Sequence, residues 1–131
     1  MSNIPLTFTV APFGLEPLVS FTLVPVAGAD GLFTLVGAGV TASGVTDPRL
    51  FLLDAASHLP SYAPSLSDAQ AASIGLADPA DAMLLVVANP GAAGTTVNLL
   101  APVVVNARTG VGAQFILEDQ DQPLRAELAR R

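Results

Sequence analysis

His58 is the chain's one histidine, set between Ser57 and Leu59 in a stretch that also holds Pro60 and Pro64. Serine-hydrolase chemistry would need that imidazole to meet a serine and an acid such as Asp54. Nothing in the spacing brings such a trio together, so His58 reads as an ordinary surface or half-buried histidine. Cysteine and lysine are absent, which excludes a thiolate nucleophile, a disulfide framework, iron–sulfur and sulfur-ligated zinc sites, and the P-loop lysine. Gly37-Ala38-Gly39 continues as Val40-Thr41-Ala42, so the dinucleotide fingerprint fails at its third glycine and the segment reads as a flexible edge. Glu118-Asp119-Gln120-Asp121 is the densest acidic run, yet it lacks the glycine and closing glutamate of a calcium loop. It reads as a solvated strand end. The other carboxylates are scattered and offer no glycosidase-like pair. No catalytic residue, cofactor site or metal ligand is therefore expected. The alternative is a small-ligand-binding barrel or an enzyme with a site around His58 and Tyr62.

The elements that must carry any site are bounded by composition. The chain has 131 residues, 51% of them apolar and 12% charged, with a net charge of −6. That is one domain's worth of sequence, read as a single domain over 1–131, and too apolar for intrinsic disorder. An acidic chain has no electrostatic footprint for nucleic acid or an anionic membrane, whereas a basic protein would suit it. The longest apolar run, 82–88, has seven residues, against about 20 needed for a spanning helix. The first ten residues hold neither a basic residue nor an apolar stretch of signal-peptide length, so a soluble cytoplasmic protein is expected.

Period-2 alternation dominates. Leu6, Phe8 and Val10 share one face of a strand over 6–10, and Val19, Phe21 and Leu23 do the same over 19–26. Asp30-Gly31 supplies a hairpin turn into 32–36. Residues 37–47 read as a loop or irregular edge, 49–54 as a central strand and 55–65 as a loop. Ser67 and Gln70 form a capping box ahead of one short helix over 69–74, with Gly75 as its C-terminal cap. Strands are predicted over 82–88 and 95–100, with a loop over 89–94 between them. Pro102 marks a bulge or edge, and strands over 103–106 and 113–118 flank a hairpin turn. The pattern predicts a mainly β fold, a small antiparallel β-barrel-like domain (or a sandwich) with one short helix.

One segment carries more specific information. Asn98-Leu99-Leu100-Ala101-Pro102-Val103-Val104-Val105-Asn106, followed across a short turn by Gly112-Ala113-Gln114-Phe115-Ile116-Leu117, resembles the signature of the flagellar assembly factor family, FliW. Asp54, the Pro60-Ser61-Tyr62 stretch and the Pro123-Leu124-Arg125 ending also fall in that family's order. The chain departs from the pattern at Gly110-Val111, where a basic pair is common, and at Gln122, where tyrosine is common. The resemblance implies a small β-barrel that catalyses nothing. It implies a monomer when free that binds two proteins: flagellin before export, and the CsrA-type RNA-binding repressor of flagellin translation. Asn98, Pro102, Asn106, Arg108, Gln114, Ile116 and Glu118 are the candidate partner-binding residues. For Asn98, Pro102 and Asn106 a backbone-supporting role stands beside that one. Arg108 is either a polar contact or a solubilising charge. Gln114, Ile116 and Glu118 are expected to share one strand face.

Overall fold

The computed structural model describes residues 3–91, 94–117 and 126–127. Glu118, the acidic run through Asp121, and the Pro123-Leu124-Arg125 ending lie outside the described residues. Among those described, the strands are β1 (Ile4–Phe8), β2 (Ser20–Pro25), β3 (Leu32–Gly37), β4 (Arg49–Asp54), β5 (Ala82–Gly91), β6 (Gly94–Val97), β7 (Val103–Asn106), β8 (Val111–Gln114) and β9 (Ala126–Glu127). Between β4 and β5 come α1 (Ala55–His58), α2 (Asp68–Ser73) and a 3-10 turn at Pro79–Asp81.

Seven strands close a barrel in the order β4-β3-β2-β1-β8-β7-β5, with β5 returning to β4. Every pairing is antiparallel except β1–β8, which is parallel and matches only Thr7 with Val111 and Phe8 with Gly112. The long β5 serves three partners: residues 82–85 face β7, 85–88 face β4 and 88–91 face β6. Strands β6 and β7 thus return along one edge of β5, interrupted at residues 98–102.

Alternation sorts the side chains. Leu6, Phe8, Phe21, Leu23, Leu35, Leu52, Leu85, Val103 and Val105 fill the interior, and Leu15 joins them from the loop after β1. The Phe8 and Phe21 rings meet edge-on, 5.2 Å apart. Each fully buried leucine or phenylalanine contributes about 1.5–3 kcal/mol of transfer free energy, so this interior is the principal source of stability. The outward residues form two smaller clusters. Leu53, Val86, Ala88 and Val97 lie under Leu59, Tyr62 and Leu99. Ile74 packs on Val104 and Ala113.

The capping box at Ser67 and Gln70 is present, and Gly75 follows α2 with φ of +66°. Five expectations change, the first being the strand over 95–100, which ends at Val97 because the Asn98 side chain starts a turn there. Residues 55–58 form a one-turn helix rather than a loop, because Asp54 accepts the Ala56 amide as an N-cap. Strand β5 runs on through Asn89 and Pro90, which were expected in a loop; its pairing with β4 ends at Ala88, so a proline there faces only one paired edge. Val10 is 70% exposed because β1 ends at Phe8. Strand β8 stops at Gln114, so the predicted strand to 118 is cut short. Beyond it, Phe115 and Leu117 each donate one amide bond, to Pro102 and Leu100. Among the described residues no helix is long and apolar enough to cross a membrane.

Candidate functional site

The interruption between β6 and β7 is built by Asn98. Its Oδ1 accepts the Leu100 amide at 3.0 Å and the Ala101 amide at 3.1 Å. That side-chain turn breaks the strand over residues 98–101 before Pro102 starts the return, and asparagine is suited to it because its short carboxamide mimics a backbone turn. The Tyr62 hydroxyl donates to the Leu99 carbonyl and fixes the turn against the loop after α1. Gln114, at the end of β8, bridges two segments: its Nε2 donates to the Ala101 carbonyl at 3.1 Å, and its Oε1 accepts the Phe13 amide at 3.0 Å. Three loops are drawn together at one mouth of the barrel.

Between them lies a groove of about 320 Å³, floored by Leu50, Val87, Leu100 and Ala101, with Asn98 and Gln114 contributing its polar atoms. Phe13, 51% exposed, and Ile116, 44% exposed, stand on its rim. No lining side chain titrates or is a nucleophile. An exposed apolar groove of this kind can take apolar groups of a ligand out of water.

The candidate residues divide on this geometry. Asn98, Gln114 and Ile116 meet at the groove. Pro102 is beside it but buried, accepting the Phe115 amide through its carbonyl at 3.0 Å. Asn106 is at the far end of β7 and buried. Its Nδ2 donates to the Ile74 and Gly75 carbonyls, both at 3.1 Å, and its Oδ1 accepts the Arg108 amide at 3.1 Å. It ties the end of α2 to the β7–β8 turn. Arg108 projects from that turn 3.9 Å from Asp81, its side chain 72% exposed, a pairing worth little in water. The shared strand face is corrected: Gln114 and Ile116 border one groove, but Ile116 lies past the end of β8, and Glu118 is not among the described residues.

Sequence reasoning missed Phe13, Leu50, Val87 and Leu100 as groove residues. Phe13 carried a legible signal, an aromatic side chain held between a proline and a glycine. Leu50 and Val87 could not be told from core positions, since they point inward like Leu52 and Leu85 and differ only in lying near the mouth.

The second candidate region is not assembled as a site. His58 Nε2 lies 2.7 Å from the Asp30 carbonyl, over Gly31, where a Cβ would come within 2.7 Å of the ring. The Asp54 carboxylate accepts the Ser57 hydroxyl at 3.0 Å, while the imidazole is engaged with the Asp30 carbonyl. Burial pushes the Tyr62 phenol up to about 12. These residues close the β2–β3 hairpin and the loop after α1. Among the described residues no three His, Asp or Glu side chains gather as a metal site.

Fold and groove together define a small closed β-barrel that exposes Phe13 and Ile116 at its mouth. Residues 2–128 match the model of the FliW family, described as FliW protein. The flagellar assembly factor FliW of Syntrophus aciditrophicus (strain SB) is 34% identical over 102 residues, 75% of this chain and 59% of that protein. That of Desulfitobacterium hafniense (strain Y51) is 34% identical over 84 residues, 63% of this chain and 55% of that protein. The matches span a little over half the length of these curated relatives. A crystal structure of the flagellar assembly factor FliW superimposes with a TM-score of 0.84 at 22% identity, covering 97% of this chain and 86% of that one; it shares the fold. The chain belongs to the FliW family.

Proposed function

We propose that this protein is a flagellar assembly factor that acts by binding two proteins in competition, a CsrA-type RNA-binding repressor and flagellin, and that it catalyses no reaction. The match of residues 2–128 to the family carries the reading. In the cytoplasm, flagellin and repressor would compete for it by mass action: when flagellin is scarce, the repressor is sequestered and translation resumes. A net charge of −6 suits a basic RNA-binding partner. The mouth groove is the contact this reading favours, with Ile116 and Phe13 as apolar anchors and Asn98 and Gln114 as its polar edge. Pro102, Asn106, Arg108 and Glu118 complete the proposed binding set, Pro102 and Asn106 by shaping the backbone.

The test is a competition titration using the repressor and a flagellin terminal segment from the same cell. Each should bind alone, and each should displace the other. Ile116→Asp should weaken binding more than about tenfold, because a carboxylate must then be desolvated against an apolar surface. Its fold should persist, since Ile116 is 44% exposed. Absence of binding to both partners at tens of micromolar would refute the reading, and undiminished binding by the Asp variant would move the contact off the mouth.

A further inference from the structure

A second, larger concavity, about 450 Å³, lies on the outer wall of the barrel and shares no residue with the mouth groove. Its floor is Leu84 of β5 and Val104 of β7, and Leu66 and Leu76, either side of α2, form its walls. The walls are held at both ends of α2. At the start, the Ser67 amide donates to the Gln70 side chain at 2.9 Å and the Gln70 amide donates back to the Ser67 hydroxyl at 3.1 Å. At the end, Asn106 holds the Ile74 and Gly75 carbonyls. A preformed groove spares its occupant the cost of ordering the walls.

The charged residue that lines the groove is acidic, and the segment that builds its walls is acidic too. Across residues 59–107 the charged side chains are Asp68, Asp78 and Asp81, with no arginine, lysine or histidine among them. Asp68 lines the groove directly, and Asp78 and Asp81 flank the Pro79 wall. Arg108, from the β7–β8 turn, lies 3.9 Å from Asp81 and offsets part of that carboxylate's charge, leaving Asp68 and Asp78 as the acidic flank. An apolar floor beneath carboxylates disfavours acidic and uncharged polar ligands and favours large apolar side chains flanked by cations. We propose that this groove docks a short segment of a partner protein carrying two large apolar residues flanked by lysine or arginine. The proposal stands independently of the mouth groove and of the partners assigned there.

The test uses the full chain, isotope-labelled, and two synthetic peptides that share a central pair of leucines, one flanked by lysines and the other by glutamates. The lysine peptide should shift the amide resonances of Leu66, Ala71 and Leu84 and leave those of Phe13 and Ile116 in place. Its binding should weaken as salt rises from about 0.05 to 0.5 M, while the glutamate peptide should not bind. Ala77→Trp, at an exposed lining position, should block the groove and abolish the shifts. Asp68→Lys, in the exposed first turn of α2, should weaken the lysine peptide by roughly fivefold or more; Ile116→Asp should bind it as the native chain does. Equal binding of the two peptides, binding that survives Ala77→Trp, shifts confined to the mouth, or the same groove shifts produced by self-association of the chain would each overturn the proposal.

Discussion

Tyr62 is the chain's one tyrosine, and its hydroxyl donates to Leu99 within the cluster of Leu53, Val86 and Val97. Burial disfavours the phenolate and pushes the group up to about 12 from 10.0. The sign follows: between those values the folded chain keeps a proton that the unfolded chain releases, so stability is intact below pH about 10 and is lost as pH climbs toward 12. The composition makes this readable, because with no lysine or cysteine and with arginine protonated throughout, few other groups titrate there. The urea midpoint should be level up to pH about 9.5 and then fall, with phenolate absorbance rising only near pH 12. Tyr62→Phe should start lower by about 0.5–1.5 kcal/mol for the lost hydrogen bond and show no slope in that window; parallel alkaline slopes would refute the assignment. Asn106 presents a different single-residue case. Replacing it with alanine strands the carbonyls of Ile74 and Gly75 and the Arg108 amide, at about 1–3 kcal/mol by denaturant midpoint with an unchanged m value. The motif singled out Asn106 in the sequence. Its partners lie 31 and 32 residues upstream, a separation that no periodicity reports.

At the scale of elements, legibility followed range. The strand over 49–54 and the helix begun by Ser67 and Gln70 were readable because a run of apolar residues and a cap are local. The one-turn helix at Ala55–His58 was hidden in a proline-bearing stretch and exists on a single side-chain cap. The mouth was half legible: the signature held Asn98, Gln114 and Ile116, while Phe13 reaches them through a bond spanning 101 residues. Least legible was the closure of the barrel, where β1 meets β8 in parallel across about a hundred residues. That seam is short and rests on a glycine. Gly110 has φ of +77°, a Cβ on it would stand 2.8 Å from the Pro5 carbonyl oxygen, and its own carbonyl accepts the Thr7 amide at 2.9 Å. Gly110→Ala should therefore cost more than about 1 kcal/mol. Hydrogen exchange at Thr7 and Thr9, whose amides cross the seam, should quicken more than exchange within the β2–β3 pair. Uniform quickening across the barrel would mean that the seam opens only with the whole fold.

For the molecule as a whole, the proposed binding would divide between charge and apolar surface. A net charge of −6 acts at a distance and is screened over about 8–10 Å at ordinary salt, so it bears on encounter. In the proposed complex the mouth groove would act only in contact, by removing Phe13, Ile116 and their partner groups from water, so it would bear on residence. If a CsrA-type dimer is the partner, the two contributions should separate in stopped-flow kinetics. Raising salt from about 0.05 to 0.5 M should lower the association rate by roughly tenfold while changing the dissociation rate by less than about twofold. Ile116→Asp should do the reverse, speeding dissociation at every salt concentration with a smaller effect on association. A dissociation rate that climbs with salt as steeply as association falls would place ion pairs inside the interface. The contact would then belong on the acidic flank near α2, with the mouth left free.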